Sequence, residues 1–189
     1  LKEYPEARID VVEIDPGLTD IAKQYFRLKE HDRLSIINTD ARIFLQNNTK
    51  EYDVIYKDVF LSEYSIPMHL TTKEAVALEY AALADEGVLM VNLIASIKGK
   101  GAPLLHALYK TYNSVFQEVS LYATEGDTHD KTQNIILVAA KKKRDIVATI
   151  SDPLLQSFVG NHIVLEPQPD IPILRDDYAP VQHLLFSSL

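Results

Sequence analysis

The stretch ARIDVVEIDPGL, residues 7–18, decides how the rest of the chain is read. Ile9, Val11, Val12 and Ile14 are dense enough for a buried strand over residues 8–14, and two acids, Glu13 and Asp15, close it. Pro16 follows where a helix tolerates proline, in its first turn, with Asp15 as the cap. Leu18, Ile21, Ala22, Tyr25 and Phe26 then recur at the spacing of one face of an amphipathic helix. A strand that ends in acids and turns at once into a helix predicts an α/β fold. In nucleotide-binding versions of that fold an acid at this tip grips a ribose, roughly 20 residues after a glycine-rich turn. Counting back from Glu13 puts that turn ahead of Leu1, so the expectation is a chain that opens after part of its own cofactor site.

The 189 residues are 47% apolar, enough for one domain with a real core and too few for two comfortable ones. The expected layout is an α/β core over 1–144 and a C-terminal extension over 145–189. No cysteine is present, which excludes disulfides and thiolate metal sites. The six histidines show no metal-ligand spacing. The apolar run VLMVNLIA, 88–95, is far short of a membrane span. No signal peptide is visible, and a cytoplasmic protein is the default expectation, with Leu1 in place of Met fitting a fragment or processed product. A net charge of −8 argues against a general nucleic-acid binder and suits a cationic substrate.

Strand and helix continue to alternate. LSIINTD, 34–40, is a second strand ending in an acid, ARIFLQNN a short helix, and YDVIYKDVF, 52–60, a third strand with an acid near its end. Thr71 with Glu74 has the capping-box spacing before the helix KEAVALEYAALA, which Gly87 punctuates. VLMVNLI is the fourth strand, IKGKGAP a mobile lid or a connection, and Pro103 opens a further helix. EVSLYAT and NIILVAAK then follow as strands joined only by a polar loop, and KKKR, 141–144, reads as a solvated face. Alternating β and α predicts a mostly parallel sheet covered by helices. The helix-free pair predicts one antiparallel strand. That combination favours the Rossmann-like fold of S-adenosylmethionine-dependent methyltransferases, here with the first strand and glycine loop missing.

Ligands of open α/β sheets lie beyond the carboxyl ends of the strands. Glu13, Asp15, Asp40 and Asp58 fall at three such ends and are expected to converge. Glu13 suits a ribose because two carboxylate oxygens match a vicinal diol. Asp15 fits a helix cap better, with a ligand role second. Asp40 is placed to accept the exocyclic amine of adenine, with the Ala41 backbone at a ring nitrogen, or to cap the helix that follows. Asp58 lies where a substrate's reacting end belongs, or is a loop acid.

The segments VVEIDPGLTDIAKQYF, INTDARIFL, YDVIYKDVF, PMHLTTKEA and PILRDDYAPVQHLL, in this order, resemble the spermidine synthase family, nearest to the branch found fused to multi-spanning membrane segments. The resemblance implies an aminopropyltransferase that uses decarboxylated S-adenosylmethionine and a small-molecule amine such as a diamine. It implies Glu13 as the ribose acid, Asp40 and Ala41 as adenine contacts, and Asp58 as the first acid of an Asp-x-x-Asp motif. The second acid of that motif falls at Leu61, and Glu63 is the nearby substitute. Asp176 and Asp177 with Tyr178 form an acidic aromatic corner suited to an amine or to covering the pocket, or part of a structured tail in which Tyr178 and Val181 pack on the body. The absent strand is supplied either by residues of a longer parent chain or by a second copy, as a homodimer. Two other functions use the same sheet: an S-adenosylmethionine-dependent methyltransferase, and a non-catalytic nucleoside-binding domain.

Overall fold

The computed structural model describes residues 4–59, 67–125, 130–143 and 152–187, in two compact units, 1–48 and 49–189. In the first unit β1 (Ile9–Glu13) pairs in parallel with β2 (Leu34–Asn38), in the register Ile9↔Leu34 to Glu13↔Asn38. Between them runs α1 (Pro16–Tyr25), started as the sequence predicts: Asp15 Oδ1 accepts from the Gly17 N–H at 2.8 Å, and Pro16 occupies the first turn. After β2, α2 (Ala41–Asn47) is capped by Asp40, whose Oδ1 accepts from the Arg42 and Ile43 N–H groups at 2.8 and 3.1 Å.

The α1 stripe departs from expectation. Leu18 and Ile21 are 47% and 45% exposed, Tyr25 and the following Phe26 more so, and no residue of α1 is fully buried. A two-stranded ribbon offers too little surface to cover an apolar helix face.

The second unit holds the core. β3 (Tyr52–Lys57) pairs in parallel with β4 (Leu83–Ala95), and β6 (Gln133–Ala140) runs antiparallel between β4 and β5 (Glu118–Ala123). β6 is the antiparallel strand the helix-free connection predicts. A two-residue β7 (His162–Ile163) extends the far edge beside β5. Along β4 the side chains alternate, with Leu89, Val91, Leu93 and Ala95 buried and Val88, Met90, Asn92 and Ile94 only partly so. α3 (Lys73–Ala82) and α4 (Ala102–Asn113) add Val76, Leu104, Leu105, Leu108 and Tyr112 to the same core. α5 (Pro153–Val159) and α6 (Val181–Phe186) belong to the C-terminal piece, and α6 seats Val181 and Leu184 in the core. Among the described residues no helix is long and apolar enough to cross a membrane.

Three local readings are corrected, and a fourth, IKGKGAP, is narrowed to one of its two alternatives. α3 is capped by Thr72, which accepts from the Ala75 N–H, and not by Thr71. It ends at Ala82 instead of running to Ala84, because Leu83 already pairs with Tyr52 of β3. Lys141 is not simply solvated: its ammonium donates to the Leu83 carbonyl and lies 4.7 Å over the Tyr80 ring. IKGKGAP is a connection, with Gly99 and Gly101 at φ +73° and +85° and the Gly101 N–H bonded to the Ser187 carbonyl at 2.9 Å.

Gly87 has a different job from ending a helix. It lies in β4 where the β3–β4 register shifts, and a Cβ there meets the carbonyl oxygens of Ala84 and Tyr52 at 2.9 Å each. Both obstacles are backbone, so Gly87→Ala is expected to cost about 1–3 kcal/mol, the range for overpacking. Urea unfolding reads this, and an unchanged midpoint would show that the strand yields.

Candidate functional site

The candidate residues fall in both units, and each set is built by its own strands. In the first unit the parallel register ends at Glu13 and Asn38, so the residues that follow both strands emerge at one rim. The Thr39 N–H donates to the Glu13 carbonyl at 3.1 Å, and Asn38 Nδ2 donates to that carbonyl and to Thr19 Oγ1, which fixes the rim. Glu13 Oε1 accepts from the Asp15 N–H at 2.8 Å, while Oε2 has no partner among the described residues. The carboxylate is therefore oriented by one oxygen and open at the other. Asp15 spends Oδ1 on the α1 cap. Asp40 is a cap too, and the Ala41 N–H precedes the two that its carboxylate takes. Glu13 and Asp40 thus follow neighbouring parallel strands to one rim of the first unit. A cleft of about 420 Å³ in this unit lies elsewhere, along the first half of β2 among Lys23, Lys29, His31 and Leu34.

In the second unit Asp58 leaves the end of β3 exposed to solvent, and its Oδ1 accepts from Asn92 Nδ2 at 3.1 Å. Asn92 is the residue sequence reasoning missed. Its Oδ1 is buried and has no hydrogen-bond partner among the described residues. A buried orphan acceptor is costly, and the great majority of such atoms are satisfied. Its signal was visible as the one polar side chain inside VLMVNLIA. Asp58 thus presents an exposed carboxylate, held from one side by the Asn92 amide, that an amine or ammonium N–H can meet.

Behind Asp58, the last residue of β3 turns inward. The Lys57 ammonium bonds to the Glu79 carboxylate, to the Tyr112 hydroxyl at 3.1 Å and to the Leu70 carbonyl at 2.5 Å. Tyr112 in turn donates to Glu79 Oε2 at 3.3 Å. Burial pushes the Glu79 carboxyl above the usual carboxylate range, against the opposing pull of Lys57. Burial, and then the Glu79 charge, hold the Tyr112 phenol well above its usual value, so it stays protonated.

One member of the acidic corner, Asp176, anchors the tail to the start of α3. Asp176 accepts from Thr72 Oγ1 at 2.6 Å, its N–H donates to Glu74 Oε2, and the Leu174 N–H donates to Thr111 Oγ1. Asp177 and Tyr178 are exposed, with Tyr178 60% open, so of the two residues expected to pack on the body only Val181 does. Leu61 and Glu63 lie outside the described residues. Among the described residues no three His, Asp or Glu side chains could hold a metal ion.

Residues 1–148 match the model of the spermine/spermidine synthase domain. The polyamine aminopropyltransferase of Vibrio vulnificus is 36% identical over 118 residues, 61% of this chain and 38% of that protein. The match thus spans well under half of that relative's length. Among solved structures, a probable spermidine synthase of Corynebacterium glutamicum superposes with a TM-score of 0.68 at 24% identity, covering 79% of this chain and 53% of the other. Human methyltransferase-like protein 13, solved in complex with SAH, gives 0.63 at 21% identity, covering 85% and 71%. These two likenesses establish the methyltransferase-like α/β fold.

Proposed function

Because the chain belongs to the spermine/spermidine synthase domain family, we propose that it transfers an aminopropyl group from decarboxylated S-adenosylmethionine to a small-molecule diamine. The observation that carries this reading is the exposed Asp58 carboxylate at the end of β3, oriented by the Asn92 amide. Glu13 accepts from the ribose hydroxyls through its open oxygen, and Asp40 with the Ala41 N–H reads the adenine edge. Asp15 serves first as a cap. Asp58 takes a proton from the attacking ammonium, whose nitrogen then forms a bond to the methylene carbon next to the sulfonium. The carbon–sulfur bond breaks with its electron pair on sulfur, and 5′-methylthioadenosine leaves. The leaving group is already activated, so the protein supplies mainly orientation and a neutral amine. Asp177 and Tyr178 hold the far ammonium, and Glu63 shares that role.

A second reading, an S-adenosylmethionine-dependent methyltransferase, is favoured by the fold shared with the SAH-bound human protein. Incubation with each cofactor and a series of diamines separates the two. The first reading expects methylthioadenosine released from the decarboxylated cofactor only when a diamine is present, and nothing from the intact one. S-adenosylhomocysteine formed from the intact cofactor would favour the second reading. No product from either, with nucleoside still bound, would leave a non-catalytic nucleoside-binding domain.

A further inference from the structure

The buried Lys57–Glu79–Tyr112 cluster is expensive in a way that stability does not explain. Lys57, Glu79 and Tyr112 are 7%, 2% and 1% exposed. Removing charges to that depth costs several kcal/mol per ion before pairing, and apolar residues of similar shape commonly do as well or better. What apolar residues cannot do is reach a backbone oxygen. The Lys57 ammonium has three N–H donors, and the structure gives each an acceptor: Glu79 of α3, Tyr112 of α4 and the carbonyl of Leu70. Leu70 closes the short 3-10 helix Met68–Leu70, immediately before the Thr72 cap of α3.

The sequence position of this lysine matters as much as its partners. Lys57 is the final residue of β3, in register with Val91, and Asp58 is the next residue along. Successive side chains on an extended chain project to opposite sides. Lys57 accordingly goes inward to the helices, while Asp58 is exposed and meets Asn92. The direction in which Asp58 leaves the strand is therefore set from behind by where Lys57 is held.

We propose that Lys57 is a positioning residue for Asp58: by tying the end of β3 to the Leu70 carbonyl and to α3 and α4, it fixes the Asp58 carboxylate against Asn92. The role in amine binding rests on the reading of Asp58 given above. The placement of Asp58 does not, and the two are measured separately.

The direct readout is the Asn92 side-chain amide in a ¹⁵N-correlated spectrum, assigned by its disappearance in Asn92→Asp. The test variant is Lys57→Met/Glu79→Leu/Tyr112→Phe, which removes every member of the cluster and leaves no buried charge. It is expected to fold, to shift the Asn92 amide signal, and to weaken diamine affinity about tenfold or more while methylthioadenosine affinity holds. Tyr112→Phe alone keeps the tie to Leu70 and leaves the signal in place. Lys57→Arg, which retains the charge beside Glu79 but moves its donors, folds and shifts the signal in case the triple variant does not fold. If the Asn92 amide keeps its native position in the folded triple variant, or in Lys57→Arg where the triple variant does not fold, the proposal is overturned. If it moves although the native chain binds no diamine, the positioning role stands and the amine reading of Asp58 falls.

Discussion

Glu79→Leu is expected to destabilise the fold by about 3–5 kcal/mol, the range for leaving one partner of a buried ion pair uncompensated. The pair is enclosed: Lys57 and Glu79 are 7% and 2% exposed, and the third member, Tyr112, contributes its ring and hydroxyl from α4. With the carboxylate gone, the ammonium keeps its donors to Leu70 and Tyr112 but has lost its counter-charge in a site that water does not reach. Adding Lys57→Met removes the stranded charge and is expected to return most of the loss. What remains, about 1–3 kcal/mol, is the cost of leaving the Tyr112 hydroxyl and the Leu70 carbonyl without partners. Chemical denaturation with an unchanged slope reads both steps. A single variant within about 1 kcal/mol of the native chain would mean that solvent enters the cluster, because exposed ion pairs are worth no more than that.

Asp58→Asn is the second large effect, and it concerns turnover instead of stability. Asparagine keeps the shape and an acceptor oxygen but cannot take a proton. General-base catalysis contributes typically about 10²–10⁴-fold, and a loss of that order in diamine-dependent turnover is expected. Asp58 is exposed and its one partner among the described residues is Asn92, so folding is expected to be little affected. Turnover retained at the native rate would move the proton acceptor to another residue.

The sequence carried the fold furthest where local chemistry and pairing agree. Asp15 before Pro16 announces α1 because one carboxylate cap and one missing N–H both suit a first turn. β6 was legible as antiparallel because no helix separates it from β5. Where the two disagree, pairing wins. Leu83 and Ala84 are good helix formers, yet they are extended, since Leu83 matches Tyr52 across the β3–β4 ladder. Thr71 and Thr72 are chemically equal as caps, and tertiary context separates them: the Thr71 hydroxyl donates back to the Met68 carbonyl, while that of Thr72 donates to Asp176 and accepts from the Ala75 N–H.

The site was legible as far as strand ends reveal acids. Glu13, Asp40 and Asp58 all end strands, and the rim shared by Glu13 and Asp40 follows from the parallel register of β1 and β2. Lys57 was not legible: a lysine at the end of a strand reads as a solvated terminus, and its partners lie 13, 22 and 55 residues away. Asn92 offered only its polarity within an apolar run. Asp176, not Asp177, anchors the tail, a choice between adjacent identical residues that backbone direction decides.

Calorimetric titration of methylthioadenosine into the native chain and into Glu13→Gln tests the central claim most directly. Glutamine keeps the length of the side chain and the Oε1 contact to the Asp15 N–H, and turns the open Oε2 acceptor into an NH2 donor, removing the charge and the acceptor that a diol's donors would meet. The account predicts binding weakened by about 1–3 kcal/mol, the scale for hydrogen bonds to a charged group. Equal affinity in the two proteins would take Glu13, and with it the ribose end of the site, out of the account.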